Sequence, residues 1–258
     1  MATTGNVRKS GGKTQANQSV AKAVRILDYF RIHAEGRLSD LAEHAGLGPS
    51  TALRLILSLE RCGALVRDRE TREYAIGPWL LGLAATTVRS HPFTAEVHRT
   101  LGELCETTGE TASYWIVNEH ERVCVDRVLS RHALSSTIHI GARLPLHIGA
   151  AGRALVAFLP DDERQAVLDA IESEDIDVDV LADSLDQVRE QGYAVSVEER
   201  EKGLASVAVP IPDQKGGLVG AVSATGPVAR FNAARRRDVV DDLMAAAHRL
   251  SIYRVLER

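Results

Sequence analysis

The sequence predicts an α+β protein with three parts: an N-terminal winged helix-turn-helix, a linker helix, and a larger C-terminal domain of strands and helices. Three observations carry this. Charge divides unevenly along the chain. Two helical segments joined by a glycine turn precede a charged hairpin within the first eighty residues. The remainder holds strand-like apolar runs with amphipathic segments before, between and after them.

The 258 residues include 31 Lys/Arg and 35 Asp/Glu, a net charge of −4. Gly77-Pro78 and His91-Pro92 bracket a short apolar segment and suggest a division there. Residues 1–90 hold 13 basic and 8 acidic residues, or +5, and residues 91–258 hold 18 against 27, or −9. A small basic module joined to a larger acidic one suggests a nucleic-acid reader tethered to something else. The longest uncharged runs, Tyr74–Val88 with 15 residues and Gly216–Ala229 with 14, both have Gly and Pro inside them. A membrane span needs about 18 apolar residues, so none is expected. Residues 1–19 are polar, lack acidic groups and have no apolar leader core, and they read as a disordered arm bearing Arg8, Lys9 and Lys13. Cys62, Cys105 and Cys124 form no CxxC pair, so three buried, inert thiols in a reducing cytoplasm are expected.

The first helix follows from Val20, Ala23, Val24, Leu27 and Phe30 at helical spacing, with Ser19 as its cap. Ser39 can cap a second helix carrying Leu41, Ala42 and Ala45. Gly46 suits a left-handed C-terminal position, and Gly48-Pro49 opens a third helix. Ala52, Leu55, Ile56 and Leu59 form its buried stripe, and Gly63 ends it. Two helices joined by such a turn read as a helix-turn-helix whose second helix enters the major groove. Ser50, Thr51, Leu53, Arg54 and Ser58 lie off the stripe and are the candidate DNA contacts. A helical hairpin with a solvated face is the plainer reading. Against it stands the next segment, two short strands flanking Arg67-Asp68-Arg69-Glu70-Thr71-Arg72, which reads as a wing. Arg67, Arg69 and Arg72 can approach phosphates from it.

The run Val20–Gly77 resembles the winged-helix domain of the IclR (isocitrate lyase regulator) family. It carries AVRIL in the first helix, LAEHAGLGPSTALRLILSLERCG through the helix-turn-helix, and YAIGPWLLGLA after the wing. Leu53 departs from that likeness at a position often polar or aromatic. The eleven-residue uncharged helix near Pro78–Val88 would be costly on a bare surface. The resemblance implies that it links the domains and packs in a dimer.

In the larger half a helix is expected over Phe93–Thr108, then strands at Thr111–Val117, Val123–Leu129 and Leu134–Ile140. A helix near Ala150–Leu159 follows a loop ending at His147. Helices near Asp161–Glu172 and Ser184–Gln191, strands at Tyr193–Val197, Ala205–Ile211 and Leu218–Thr225, and a long helix from Ala233 complete the order. Neither GxGxxG, GxxxxGK[ST] nor GxSxG occurs, and His132, His139 and His147 lack the HExxH spacing of a metal site. No cofactor, metal or catalytic residue is expected.

Ile148-Gly149-Ala150-Ala151-Gly152 opens the helix with small residues, so a ligand can approach its N–H groups. Close packing alone would also explain them. GARLPLHIGAAGRALVAFLP and GLASVAVPIPDQKGGLVGAVSATGP resemble the same family's effector domain. That implies a GAF-like domain binding a small organic acid, which could be aromatic. Matching positions imply a pocket of the Ala150 and Ala151 amides with Ser196, Ser206, Ser223 and Thr225. Ser196 stands where some members are acidic and Ser206 where some have Cys, so a neutral, hydroxyl-rich pocket is expected. Tyr114, Trp115, Leu144 and Leu146 are candidate apolar walls. Glu198, Glu199 and Glu201, with Arg200 and Lys202, read as a solvated turn, the lesser alternative being that they border a site.

The domains expected are an arm at 1–19, a DNA-binding domain at 20–77, a linker helix at 78–91 and an effector-binding domain at 92–258. Together they imply a DNA-binding transcription regulator, repressor or activator, reading a pseudo-palindromic operator as a homodimer or a homotetramer made of two dimers. The alternative is a small-molecule-binding protein or a metabolic enzyme with a helical dimerisation appendage.

Overall fold

The computed structural model describes residues 18–90, 92–134, 138–171, 176–213 and 217–256. These form two compact units that divide inside one helix, between Ala84 and Ala85. The expected arm lies outside the described residues except for Gln18 and Ser19, which belong to the first helix.

The first unit runs α1 (Gln18–Asp28), a 3-10 turn (Tyr29–Arg31), β1 (Glu35–Gly36), α2 (Leu38–His44), α3 (Pro49–Arg61), β2 (Leu65–Arg67), β3 (Tyr74–Ile76) and the start of α4 (Pro78–Ser90). Ile26, Leu41, Ala52, Ile56 and Leu65 are wholly buried together, with Tyr74 beside them. Gly46 has φ +62°, the left-handed turn between α2 and α3, and Gly48 with Pro49 starts α3 as the sequence suggests. Two details differ. Ser19 lies inside α1 rather than before it. The N-cap of α2 is Arg37, not Ser39, because Asp40 reaches back to accept from the Arg37 N–H at 2.9 Å, and Ser39 donates to Asp40 instead. The strands order β1-β3-β2, all antiparallel. Two residues of β1 are too few to leave a period in the sequence. The wing tip is held by Asp68, whose Oδ1 accepts from the N–H groups of Glu70 (2.7 Å) and Thr71 (2.8 Å).

The second unit continues from α4 through α5 (Pro92–Thr108), β4 (Thr111–Asn118), β5 (Glu121–Val128), β6 (Arg143–Pro145), α6 (Gly149–Ala157), α7 (Asp161–Asp169), α8 (Val178–Gln191), β7 (Ala194–Val197), β8 (Leu204–Pro212), β9 (Leu218–Pro227) and α9 (Ala233–Leu256). Six antiparallel strands order β6-β5-β4-β9-β8-β7. One core combines Tyr114, Val207, Val209, Val222 and Ala224 with α5 and α9 residues, including Leu101 and Leu243. The other combines Trp115, Cys124, Ala208 and Ala221 with α6 and α8 residues, including Leu155 and Leu185. Successive strand residues thus supply opposite faces. Glu110, buried, is clamped by Arg230 through two bonds of 2.7 and 2.9 Å.

The strand expected at Leu134–Ile140 does not form at its described positions. Leu134 and Ile140 are exposed, and the third strand of that region is β6, which pairs with β5 from Glu121↔Pro145 to Val123↔Arg143. Apolar alternation there reflected single residues packing from a loop. Cys105 and Cys124 are buried, but Cys62, which caps the end of α3 and turns its thiol to the Leu59 carbonyl, is exposed.

Ile56→Ala should cost about 2–5 kcal/mol of stability, while Leu57→Ala, one residue on and exposed, should stay within about 0.5 kcal/mol. Denaturant titrations of both variants check this. Burial pushes the Cys124 thiol up to about 12, so a thiol reagent should label Cys62 in the folded protein and reach Cys124 only after denaturation. Mass spectrometry of the labelled peptides reads the order.

Candidate functional site

Two places gather the predicted residues. On α3, Ser50, Leu53, Arg54 and Ser58 are exposed and Thr51 is half-buried, while Ala52 and Ile56 on the opposite face fix the helix to the core. Ser58 already donates to the Arg54 carbonyl at 2.9 Å, so its hydroxyl is turned toward its own helix. The wing presents Arg67, Arg69 and Arg72, all exposed. Arg67 lies over the Tyr74 ring, 5.4 Å from its centroid, and its Nε donates to the Arg72 carbonyl. Arg72 takes φ +62°, turning the chain back into β3. Glu73 at the wing base is paired with Arg37 at 3.1 Å, so part of the wing's acid charge is answered from within the domain.

The second place is a small, partly open cavity in the larger unit, between the sheet and the start of α6. Its floor is set by strand register. Ser196 pairs with Ser206, and Ser206 with Thr225, so three hydroxyl residues stand side by side across β7, β8 and β9. Ser223, two residues before Thr225, shares their face and accepts from the Trp115 indole N–H at 3.0 Å. That bond leaves the Ser223 O–H to donate into the cavity. Ala150 and Ala151 bring the first turn of α6 to the other side, and Ile148 before them offers no capping side chain.

Arg122 on β5 also lines the cavity, and the sequence reading did not include it. Only 3% of it is exposed. Its Nη1 donates to the carbonyls of Pro145 and Ile148, which ties β5 to the turn entering α6. Its guanidinium lies over Trp115 at 5.2 Å from the ring centroid. Nε is buried without a hydrogen-bond partner. Burial chiefly, and then Arg200, lowers its pKa to about 10, so it stays charged at neutral pH. Gly152 makes the arrangement possible. A Cβ there would stand 2.1 Å from the Leu146 carbonyl oxygen and 2.4 Å from Arg122 Nη1.

The neutral, hydroxyl-lined pocket expected from the sequence is therefore corrected: hydroxyls are present, but beside a buried cation. Arg200 and Glu201 from the turn after β7, Leu204 and Ala205 at the start of β8, Gly149 and Ile138 complete the lining. Glu199 from that turn accepts from the Gly149 N–H at 3.1 Å and from Arg153 at 2.7 Å. The turn is exposed, as read, and it also borders the cavity through Glu201 and is fastened to the helix start through Glu199. Tyr114, Leu144 and Leu146 do not line the cavity. Tyr114 faces α5 and α9, since it alternates with Trp115, and its hydroxyl donates to the Val219 carbonyl at 3.1 Å. Leu146 is wholly buried in the core under α6, with Leu144 packed against that core. Arg122 was legible in one respect: Arg122, Cys124 and Asp126 alternate along one strand and all are buried. Starting the strand at Val123 hid this.

Comparison with known proteins covers both units. The model of the IclR helix-turn-helix domain matches residues 19–69, and that of the bacterial transcriptional regulator IclR C-terminal domain matches residues 85–252. The HTH-type transcriptional regulator XynR of Escherichia coli (strain K12) is 31% identical over 241 residues, covering 91% of this chain and 96% of the relative. A solved IclR transcriptional regulator from Alicyclobacillus acidocaldarius is 25% identical with TM-score 0.79, covering 92% of this chain and 98% of that one. An IclR homolog from Microbacterium hydrocarbonoxydans, solved in complex with 4-hydroxybenzoate, shares the fold with TM-score 0.78 at 23% identity, covering 91% and 98%.

Gly152→Ala should force Arg122 and the Leu146 turn apart and cost about 1–3 kcal/mol. Gly102→Ala in α5, where a Cβ meets nothing within 4 Å, should be neutral or stabilising. Paired melting curves check the contrast.

Proposed function

Because the chain belongs to the IclR family of bacterial transcriptional regulators, and so is a DNA-binding regulator rather than an enzyme, we propose that α3 is its operator-reading helix and the cavity beside α6 its effector site. Ser50, Thr51, Leu53 and Arg54 meet base edges and phosphates in the major groove, and Arg67, Arg69 and Arg72 position the wing on the backbone. The observation that carries this reading is Arg54, exposed on a buried-backed helix and without an ion pair among the described residues. Ser58 contributes less, because its hydroxyl is already bonded within the helix.

Within the larger unit, Ala150, Ala151, Ser196, Ser206, Ser223, Thr225 and Trp115 hold a small organic acid, and binding shifts the population between states of different operator affinity. Trp79 and Leu81 on α4 are each more than half exposed, which suits coverage by a second copy. A homodimer then reads a pseudo-palindromic operator, since two-fold protein symmetry matches two half-sites. Among the described residues no helix is long and apolar enough to cross a membrane, and work on chromosomal DNA puts the protein in the cytoplasm.

Arg54→Ala should weaken specific binding by about 1–3 kcal/mol, roughly 5- to 150-fold, with thermal stability unchanged. A mobility-shift titration on the protein's own upstream DNA, against random duplex at matched salt, measures this. Equal binding to both duplexes by the unaltered protein would overturn the reading.

A further inference from the structure

We propose that Arg122 is the counter-charge for the effector, and that the cavity therefore selects hydroxylated acids bearing one carboxylate over their uncharged amides and over dicarboxylates. This rests on the reading of the cavity as the effector site.

The argument begins with charge. A buried ion is costly unless a partner and hydrogen bonds answer it. Elsewhere in this unit the rule is kept: Glu110 is clamped by Arg230, and Asp126 faces His98 at 3.0 Å. Arg122 breaks it. The carboxylates nearest the cavity are engaged elsewhere, Glu199 by Arg153 at 2.7 Å and Glu201 by Arg200 at 3.1 Å. Among the described residues no carboxylate is ion-paired with Arg122. Its Nη1 is answered by two neutral carbonyls, and its Nε by nothing. The cation thus has hydrogen-bond partners that hold it in place and feels the charge of Glu199, yet no carboxylate is in ion-pair contact with it. Arg122 is among the residues that line the cavity.

The remaining charges fix the number. Arg200 and Glu201 cancel at the mouth, as do Arg153 and Glu199 at the start of α6. His147, which also senses Arg122, is kept neutral by burial first and by that arginine second. One positive charge is left. A single carboxylate satisfies it, whereas a second would meet Glu199 or Glu201 unaided. The other end of the ligand is set by the hydroxyl row of Ser196, Ser206 and Thr225, which offers donors and acceptors to a neutral polar group. Arg122 covers the Trp115 ring, so the ligand's body is gripped by Ile138, Leu204 and the α6 alanines more than by ring stacking.

Calorimetry and melting curves with matched probes test this: lactate, glycerate and 4-hydroxybenzoate, their amides, and the dicarboxylates malate and terephthalate. At least one monocarboxylate should bind the full-length protein about 10- to 150-fold more tightly than its amide, the range of a charged hydrogen bond, and more tightly than the dicarboxylates. Arg122→Gln should erase the preference for acid over amide. Equal binding of acid and amide, tighter binding of a dicarboxylate, or a preference that survives Arg122→Gln overturns the proposal and leaves the effector site standing. If no probe binds, the effector reading fails with it. Should Arg122→Gln not fold, the comparison of acid, amide and diacid in the unaltered protein decides alone.

Discussion

The sheet of the larger unit must bury both of its faces, and most of what this protein can do follows from that constraint. A strand offers alternate residues to opposite sides, so one register decides two environments at once. Along β8 and β9, Val207, Val209, Val222 and Ala224 go to α5 and α9, which fixes Ser206, Ser223 and Thr225 on the side of α6. A slip of one residue would bury the hydroxyls in the apolar core and present valines to the cavity. The hydroxyl row is therefore held by the packing of the opposite face.

Arg122 adds the third dimension. The sheet supplies a floor, but the start of α6 has to be brought over it at a set height. A guanidinium between the Trp115 ring and two turn carbonyls does this, and Gly152 lets the backbone come close enough. The same group is spacer and electrostatic feature, so the site's shape and its charge cannot be altered separately. In the smaller unit the logic is simpler. A few wholly buried residues hold three short helices, and the outward face of α3 is left free of any packing duty.

Much of the smaller unit was legible because its signals are local. A left-handed glycine, a proline at the first helical position and a period of 3.6 specify α2, the turn and α3 without distant partners. The errors there are also local: Asp40 competes with Ser39 for the cap, and Cys62 stands just past the last turn of α3, where it is exposed. The larger unit was legible in its order of elements but less so in its pairings. Leu134–Ile140 has apolar residues without a neighbour to pair with, while Arg143–Pro145, unremarkable as a string, becomes β6 because β5 lies beside it.

By itself the sequence determined the two-part organisation, the opposite charges of the parts, the helix-turn-helix with its wing, and the small-residue helix start with its set of hydroxyls. Each is written in spacing or composition over a few residues. Only the tertiary structure decided which hydroxyls stand side by side, that Tyr114 and Leu146 turn away from the cavity, and that Arg122 enters it. Those depend on strand order β6-β5-β4-β9-β8-β7, which brings together residues about a hundred positions apart. An arginine in a strand looks like a solvent-facing residue until its neighbours are known. Whether its charge is solvated, paired or left open to a ligand is a property of what surrounds it, and sequence alone does not specify that.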